Sequence, residues 1–336
     1  MTEAWFYKKL TQDNVQCQLC PHACVISPGR FGQCRVRQNV AGVLYSLVSD
    51  QIIATHVDPI EKKPLYHVLP GSRSFSIATV GCNFRCDFCQ NYHISQQRAG
   101  EIPAQTILPA EIVALAKTSH CRSIAYTYTE PTIYFELAFA CARLAHEQGL
   151  LNVFVTNGYI NPEPLEMIRP YLDAANVDLK AFDENFYQKY TGGKLSSVLQ
   201  TLKLMQRLKI FIEVTTLIIP QLNDDKARLF ELAKFIKDEL GADTPWHISR
   251  FFPQYKMQQL PPTPESTIRQ ACEIGKAAGL RYVYAGNLAA TSNENTYCFQ
   301  CGELLIERLG YQIHQNRVES GKCPACGTPV AGIFDG

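Results

Sequence analysis

The sequence predicts an α/β protein, a partial (β/α) TIM-like barrel with a small cysteine-rich, metal-binding module at each terminus. Three observations lead there. Strand-like and helix-like runs alternate from residue 74 to residue 286; the 336 residues are about two domains' worth of chain; and of the 14 cysteines all but Cys121, Cys141 and Cys272 fall into three tight groups, two of them near the ends.

In chain order, the first group is followed by a connector, THVDPIEKKPLYHVLPG, that closes on a turn signal at Gly71. This sets the expected organisation: an N-terminal cysteine-rich module and connector over 1–70, a barrel over 71–292, and a zinc-ribbon or rubredoxin-like module over 293–336. Within the barrel, 74–80 (SFSIATV) reads as a strand, 109–119 as a helix and 123–128 as a strand. Residues 132–149 have helical spacing with a glycine stop, and 152–158 is a buried-strand run ending in Asn-Gly. Strands at 174–180, 210–219, 246–249 and 281–286, with helices at 196–208, 224–240 and 264–278, complete six or seven βα units. Such a series closes, or nearly closes, a parallel sheet; an open doubly wound sheet is the alternative.

Composition narrows the functional classes. An apolar fraction of 46% excludes a disordered chain, and 32 Lys plus Arg against 31 Asp plus Glu gives a net charge of +1, without the basic excess that nucleic-acid binding shows. No apolar run is long enough to span a bilayer, and the polar start does not read as a signal peptide, so the expected compartment is the cytoplasm. Cysteines kept reduced there are better read as metal ligands than as disulfides.

In barrels of this type chemistry collects at the carboxyl ends of strands. Those positions carry Cys82, Cys86 and Cys89, then Thr129 and Glu130, Thr156 and Asn157, Asp178 and Lys180, and finally His247 and Arg250. GCNFRCDFCQN gives Cys-x3-Cys-x2-Cys directly after a strand. Cubane [4Fe-4S] clusters usually take four thiolates, so three leave one iron open, and S-adenosylmethionine (SAM) is the ligand that fits: its amino and carboxylate groups chelate iron and bring the sulfonium within reach of an electron from the cluster. A zinc site with a distant fourth ligand, or three merely buried cysteines, is the competing reading.

These residues resemble the radical SAM superfamily and, within it, the pyruvate formate-lyase activating-enzyme-like group. The connector DPIEKKPLYHVLPGS, the segment YTYTEPT and the cysteine-rich ends are similar to the AmmeMemoRadiSam system radical SAM enzymes, over essentially the whole chain. The resemblance implies a barrel of the radical SAM type, with Cys82, Cys86 and Cys89 on the cluster and Phe88 against the adenine. Glu130 stands where relatives carry the Glu of a Gly-Gly-Glu-Pro stretch that meets the SAM amino group, although Tyr128 and Thr129 replace both glycines. Thr156 with Asn157, and Asp178 with Lys180, would face the ribose or the methionyl carboxylate. A flavodoxin- or ferredoxin-like electron donor, and protein partners of the same pathway, are expected. Bland readings stand beside these: a barrel-mouth salt bridge for Glu130, turn chemistry for Asn157, mutual pairing for Asp178 and Lys180, and structural roles for His247 and Arg250.

At the ends, Cys298-x2-Cys301 and Cys323-x2-Cys326 form two knuckles, a four-thiolate set suited to structural zinc or to iron. Cys17, Cys20, Cys24 and Cys34, separated by two, three and nine residues, suit zinc or a second iron-sulfur cluster, with His22 a bystander. His56, Lys62, Lys63 and His67 in the connector read by default as a solvated charge run, a role lining the substrate entrance being the sharper alternative. Three functions compete: hydrogen abstraction from a small molecule or peptide, activation of a glycyl-radical enzyme, and, without catalysis, a zinc-ribbon interaction protein.

Overall fold

The computed structural model describes residues 1–288 and 294–335; the boundary expected at residue 292 lies outside them. Its main body is an eight-stranded sheet whose strands neighbour one another in chain order: β1 (Ala54–Pro59), β2 (Arg73–Ala78), β3 (Ser123–Tyr126), β4 (Leu151–Thr156), β5 (Ala174–Asp178), β6 (Phe211–Ile218), β7 (Trp246–Arg250) and β8 (Val283–Gly286). β1 runs antiparallel to β2, and every later pair is parallel. Parallel neighbours require crossovers. These contain α1 (Tyr92–Ser95), α2 (Pro109–Thr118), α3 (Phe135–Glu147), α4 (Pro162–Ile168), α5 (Glu184–Tyr190), α6 (Leu195–Arg207), α7 (Lys226–Phe235) and α8 (Glu265–Ala277). This is the partial barrel that the alternation predicts. The helix expected over 224–240 instead breaks into α7 and one π-helical turn, Ile236–Leu240.

The two faces of the sheet bury different things. Ile124, Tyr126 and Phe154 pack in the main core with Ala138, Cys141 and Ala142 of α3, where small helix residues allow close approach. On the opposite face Ala125, Val153 and Ala174 meet Ile60, Leu65 and Val68 of the connector. The connector is therefore a plug inside the sheet's concave face. The expectation of a solvated charge run is corrected for two of its members: His67 is fully buried and Lys63 is 2% exposed. His56 is exposed and Lys62 half-exposed. The plug is held by Glu213, whose two carboxylate oxygens accept the Tyr66 and His67 amides at 3.0 and 2.8 Å and meet His247 Nε2 at 2.6 Å, and by Asn176, which donates to the Pro64 carbonyl.

Both termini dock on this body. The N-terminal module is two small antiparallel sheets, tied to α3 by the buried Arg37–Glu136 ion pair at 2.7 Å. The C-terminal module is a three-stranded antiparallel sheet, Thr296–Tyr297, Leu304–Leu309 and Gln312–Asn316, and its core residues Leu305, Ile306 and Val330 share a cluster with Tyr66, Tyr282 and Tyr284. Tyr311, at the turn of its hairpin, lines cavities against β1 on one side and beside β8 on the other. The module thus stands at the seam between the two edges of the open sheet. Among the described residues no helix is long and apolar enough to cross a membrane.

Candidate active site

The loop after β2 opens with Gly81 at φ +93° and brings Cys82, Cys86 and Cys89 to the carboxyl end of the sheet. Burial raises the Cys82 thiol well above its usual range and pushes Cys86 to about 12, while each sulfur sits in the field of its neighbours. Free thiols this buried are inert, and a metal converts them to thiolates outright. Donors are already in place. The Phe84 amide hydrogen-bonds Cys82 Sγ at 3.3 Å, Asn157 Nδ2 lies 3.8 Å from the same sulfur, and Ser95 Oγ is 3.2 Å from Cys89 Sγ. The three sulfurs do not form the tight grouping that the C-terminal cysteines do. A donor set that is wide, all-thiol and amide-lined fits a cubane.

Glu130 follows β3 and is 1% exposed. Its Oε1 accepts from the Thr132 amide, Thr132 Oγ1 and Thr156 Oγ1, and its Oε2 from the Asn157 amide at 2.8 Å. Burial nevertheless raises its pKa, against the lowering effect of those bonds. The carboxylate ties the ends of β3 and β4 together, so Glu130, Thr156 and Asn157 form one unit. Asn157 extends it to Asn83, beside Cys82, at 2.8 Å. Thr129 turns away, donating to the Thr79 carbonyl.

Across the mouth, Asp178 and Lys180 pair at 2.9 Å. Burial opposes the Lys180 charge, but Asp178 and the nearby Cys86 hold its pKa above the usual lysine range. Its ammonium lies 5.7 Å from the centroid of Phe88, which packs against Phe186 of α5. Lys180, Cys86 and Phe88 therefore belong to one neighbourhood. His247 is buried against Glu213 beneath the mouth, and Arg250 donates to the Thr263 carbonyl.

Sequence reasoning passed over a second polar centre next to the cluster loop. Asp58 accepts from Lys62 at 2.8 Å, Lys63 at 2.6 Å, Ser76 at 2.9 Å and the Tyr128 hydroxyl. Burial works against ionisation of Asp58, yet these donors hold its carboxyl well below the usual range; burial likewise lowers Lys63 to about 8 despite its Asp58 partner. Tyr128 sits at φ +63°, a left-handed conformation costing a side-chain-bearing residue roughly 1–2 kcal/mol. The tyrosine ring is held by Asp58 and by Lys63 at 4.5 Å, and its carbonyl accepts from Asn91, two residues past Cys89. The two adjacent lysines of the connector were the available signal. Glu213 had a clearer one, a lone carboxylate inside the apolar run IFIEVTTLII.

The comparisons agree with this geometry. The Radical SAM superfamily model matches residues 76–233, from β2 into α7. The chain is 45% identical over 332 residues to the uncharacterized protein MJ0808 of Methanocaldococcus jannaschii, covering 98% of this chain and 99% of that protein. It is 25% identical over 173 residues to the pyruvate formate-lyase-activating enzyme of Clostridium pasteurianum, half of this chain and 71% of that enzyme. A radical SAM methyltransferase from Sphaerobacter thermophilus shares the fold at a TM-score of 0.52 and 15% identity, over 64% of this chain and 66% of that one. The chain belongs to the radical SAM superfamily, whose domain implies a [4Fe-4S] cluster and SAM. Within it, the chain belongs to the same family as the M. jannaschii protein.

Proposed function

We propose that this protein is a radical SAM enzyme of the AmmeMemoRadiSam type that abstracts hydrogen from a small molecule or a short peptide segment. Cys82, Cys86 and Cys89 hold the cluster, which with SAM bound supplies a 5′-deoxyadenosyl radical. Glu130, Thr156 and Asn157 would position the SAM methionyl end, with Glu130 Oε2, which takes one protein bond, offered to the ammonium. Phe88 would lie toward the adenosine, and Asp178 and Lys180 would close the other side. The C-terminal cysteines would hold zinc.

The carrying observation is the plugged interior. With the connector inside the sheet, a cavity of about 240 Å³ remains between the plug, the ends of β7 and β8 and the C-terminal hairpin, lined by Glu61, Lys62, His247, Ser249, Glu294 and Tyr311. That volume suits a small molecule or one or two side chains of a peptide. Glu61 is 1% exposed; its Oε1 accepts from the Gly71 amide, and its Oε2 is buried without a protein partner. A chain of contacts joins this cavity to the cluster loop through Lys62, Asp58, Tyr128 and Asn91.

The likeness to a pyruvate formate-lyase-activating enzyme favours a second reading, activation of a glycyl-radical enzyme. The two separate when reconstituted protein, SAM and dithionite are incubated with the low-molecular-mass or the protein fraction of a cell extract. Coupled 5′-deoxyadenosine formation with the small-molecule fraction is expected. Stimulation confined to the protein fraction, with a glycyl-radical signal, would establish the activase instead.

A further inference from the structure

The four N-terminal cysteines differ from the four at the C-terminus in the way that distinguishes a cluster from an ion. A tetrahedral ion with metal–sulfur bonds of about 2.3 Å draws its sulfurs to roughly 3.8 Å, in mutual contact, leaving no space between them. The C-terminal set matches: Cys298 and Cys326 are 3.6 Å apart, Cys301 and Cys323 3.7 Å, and all four sulfurs lie within 4.8 Å of one another. Among the described residues no comparably tight grouping forms among Cys17, Cys20, Cys24 and Cys34. They line a shared cavity with apolar walls from Leu19 and Ile26, and the sulfurs lie in one another's field. Backbone amides are aimed at all four: Leu19 at Cys17, His22 at Cys20, Gln33 at Cys24 and Val36 at Cys34. The central loop repeats this pattern, Phe84 to Cys82.

The set is also built against the central loop. Asn83 lines the same cavity, and its carbonyl accepts from His22 Nε2 at 2.7 Å. The Cys34 carbonyl presses on Gly81, where an added Cβ would meet it at 2.7 Å, and Gln33 takes a hydrogen bond from Arg85. Gly81 and Asn83, the residues on either side of Cys82, thus both touch the N-terminal set.

We propose that Cys17, Cys20, Cys24 and Cys34 hold a second, fully ligated iron-sulfur cluster that relays electrons to the cluster at Cys82, Cys86 and Cys89. A low-potential one-electron donor protein, a reduced flavin or iron-sulfur protein, loses one electron to the N-terminal cluster, which passes it on and returns to its oxidised state; no proton moves. Four protein ligands leave no open iron, so this cluster does not respond to SAM.

The test is metal and sulfide analysis with electron paramagnetic resonance on the full-length protein after anaerobic reconstitution. About eight irons and eight labile sulfides per chain are expected, with one signal that shifts on SAM addition and one that does not. The Cys82→Ala/Cys86→Ala/Cys89→Ala variant retains about four irons and the SAM-insensitive signal. The Cys20→Ser/Cys34→Ser variant loses that signal, and its rate with a reduced ferredoxin relative to dithionite falls by about tenfold or more. Wild-type protein with four irons and two zinc ions, or a triple variant without iron, overturns the cluster; an unchanged rate ratio overturns the relay.

Discussion

The two ends of this chain use the same ligand inventory, four cysteines, to opposite effect. At the C-terminus two Cys-x2-Cys knuckles pull four sulfurs into contact on the protein surface, with Cys301 and Cys326 exposed. At the N-terminus the uneven spacing spreads four sulfurs around a cavity pressed against the central cluster loop. Sulfur separation and burial, more than ligand count, decide what such a set can hold. On the proposed assignments the first arrangement would stabilise a module and the second would pass an electron to the neighbouring site.

The comparison breaks most visibly if the C-terminal metal is lost. Cys323 is 1% exposed and packs with Tyr66, Tyr282, Tyr284 and Leu305, so Cys323→Ser should forfeit binding energy on the order of 10 kcal/mol and unfold the hairpin. Hydrogen exchange over residues 296–316 should rise to that of unfolded chain while iron content is maintained. A protected hairpin in metal-free protein would show that the set is not structural.

The next effect lies between the ends, where the plug is anchored. Removing the Glu213 carboxylate orphans two buried amides and leaves His247 without its partner, and Glu213→Ala should cost about 3–5 kcal/mol in urea unfolding. A change under 1 kcal/mol would mean that the plug is held elsewhere.

Acid should discriminate the two ends. Burial lowers His67 from 6.5 to about 4, and neutral His67 accepts from Tyr284 and donates to the Ala331 carbonyl, linking connector, β8 and C-terminal segment. Between those values the unfolded chain binds a proton that the folded chain refuses. Stability therefore falls as pH drops from about 6.5 to about 4, by about 3 kcal/mol for this group. Glu213, whose pKa burial raises but His247 lowers on balance, loses its contribution in the same direction as it protonates. Exchange protection should decline first around residues 66–69 and 328–333 and persist around 15–26. Uniform loss across the chain would contradict the assignment to His67.

The smallest effect is expected at the rim. Lys256 pairs with Asp87 inside the cysteine loop, but the ion pair is exposed. Lys256→Ala should change stability by no more than about 1 kcal/mol and leave the iron content untouched.

Much of this architecture is legible in the sequence because it is periodic or closely spaced. Parallel strands such as SIAY read as short apolar runs, and the three cysteines of GCNFRCDFCQN sit on one loop. What escaped depends on contacts between distant segments. Lys63 is buried against Asp58 and Tyr128, and Glu130 binds Thr156 and Asn157 across two strands. The resemblance supplied Glu130, Thr156 and Asn157 as positions; their mutual hydrogen bonds appear only in the folded chain. The width of the N-terminal sulfur set is likewise a property of the fold, since a spacing of two, three and nine residues suits an ion or a cluster equally.

The measurement that bears most directly on the whole account is the effect of SAM on the reduced, anaerobically reconstituted protein. Three thiolates at Cys82, Cys86 and Cys89 leave an iron for SAM, so one paramagnetic signal should shift on SAM addition and 5′-deoxyadenosine should accumulate with dithionite. Cys86→Ala should abolish both. A fully loaded central cluster whose spectrum is indifferent to SAM, with no 5′-deoxyadenosine formed, would contradict it.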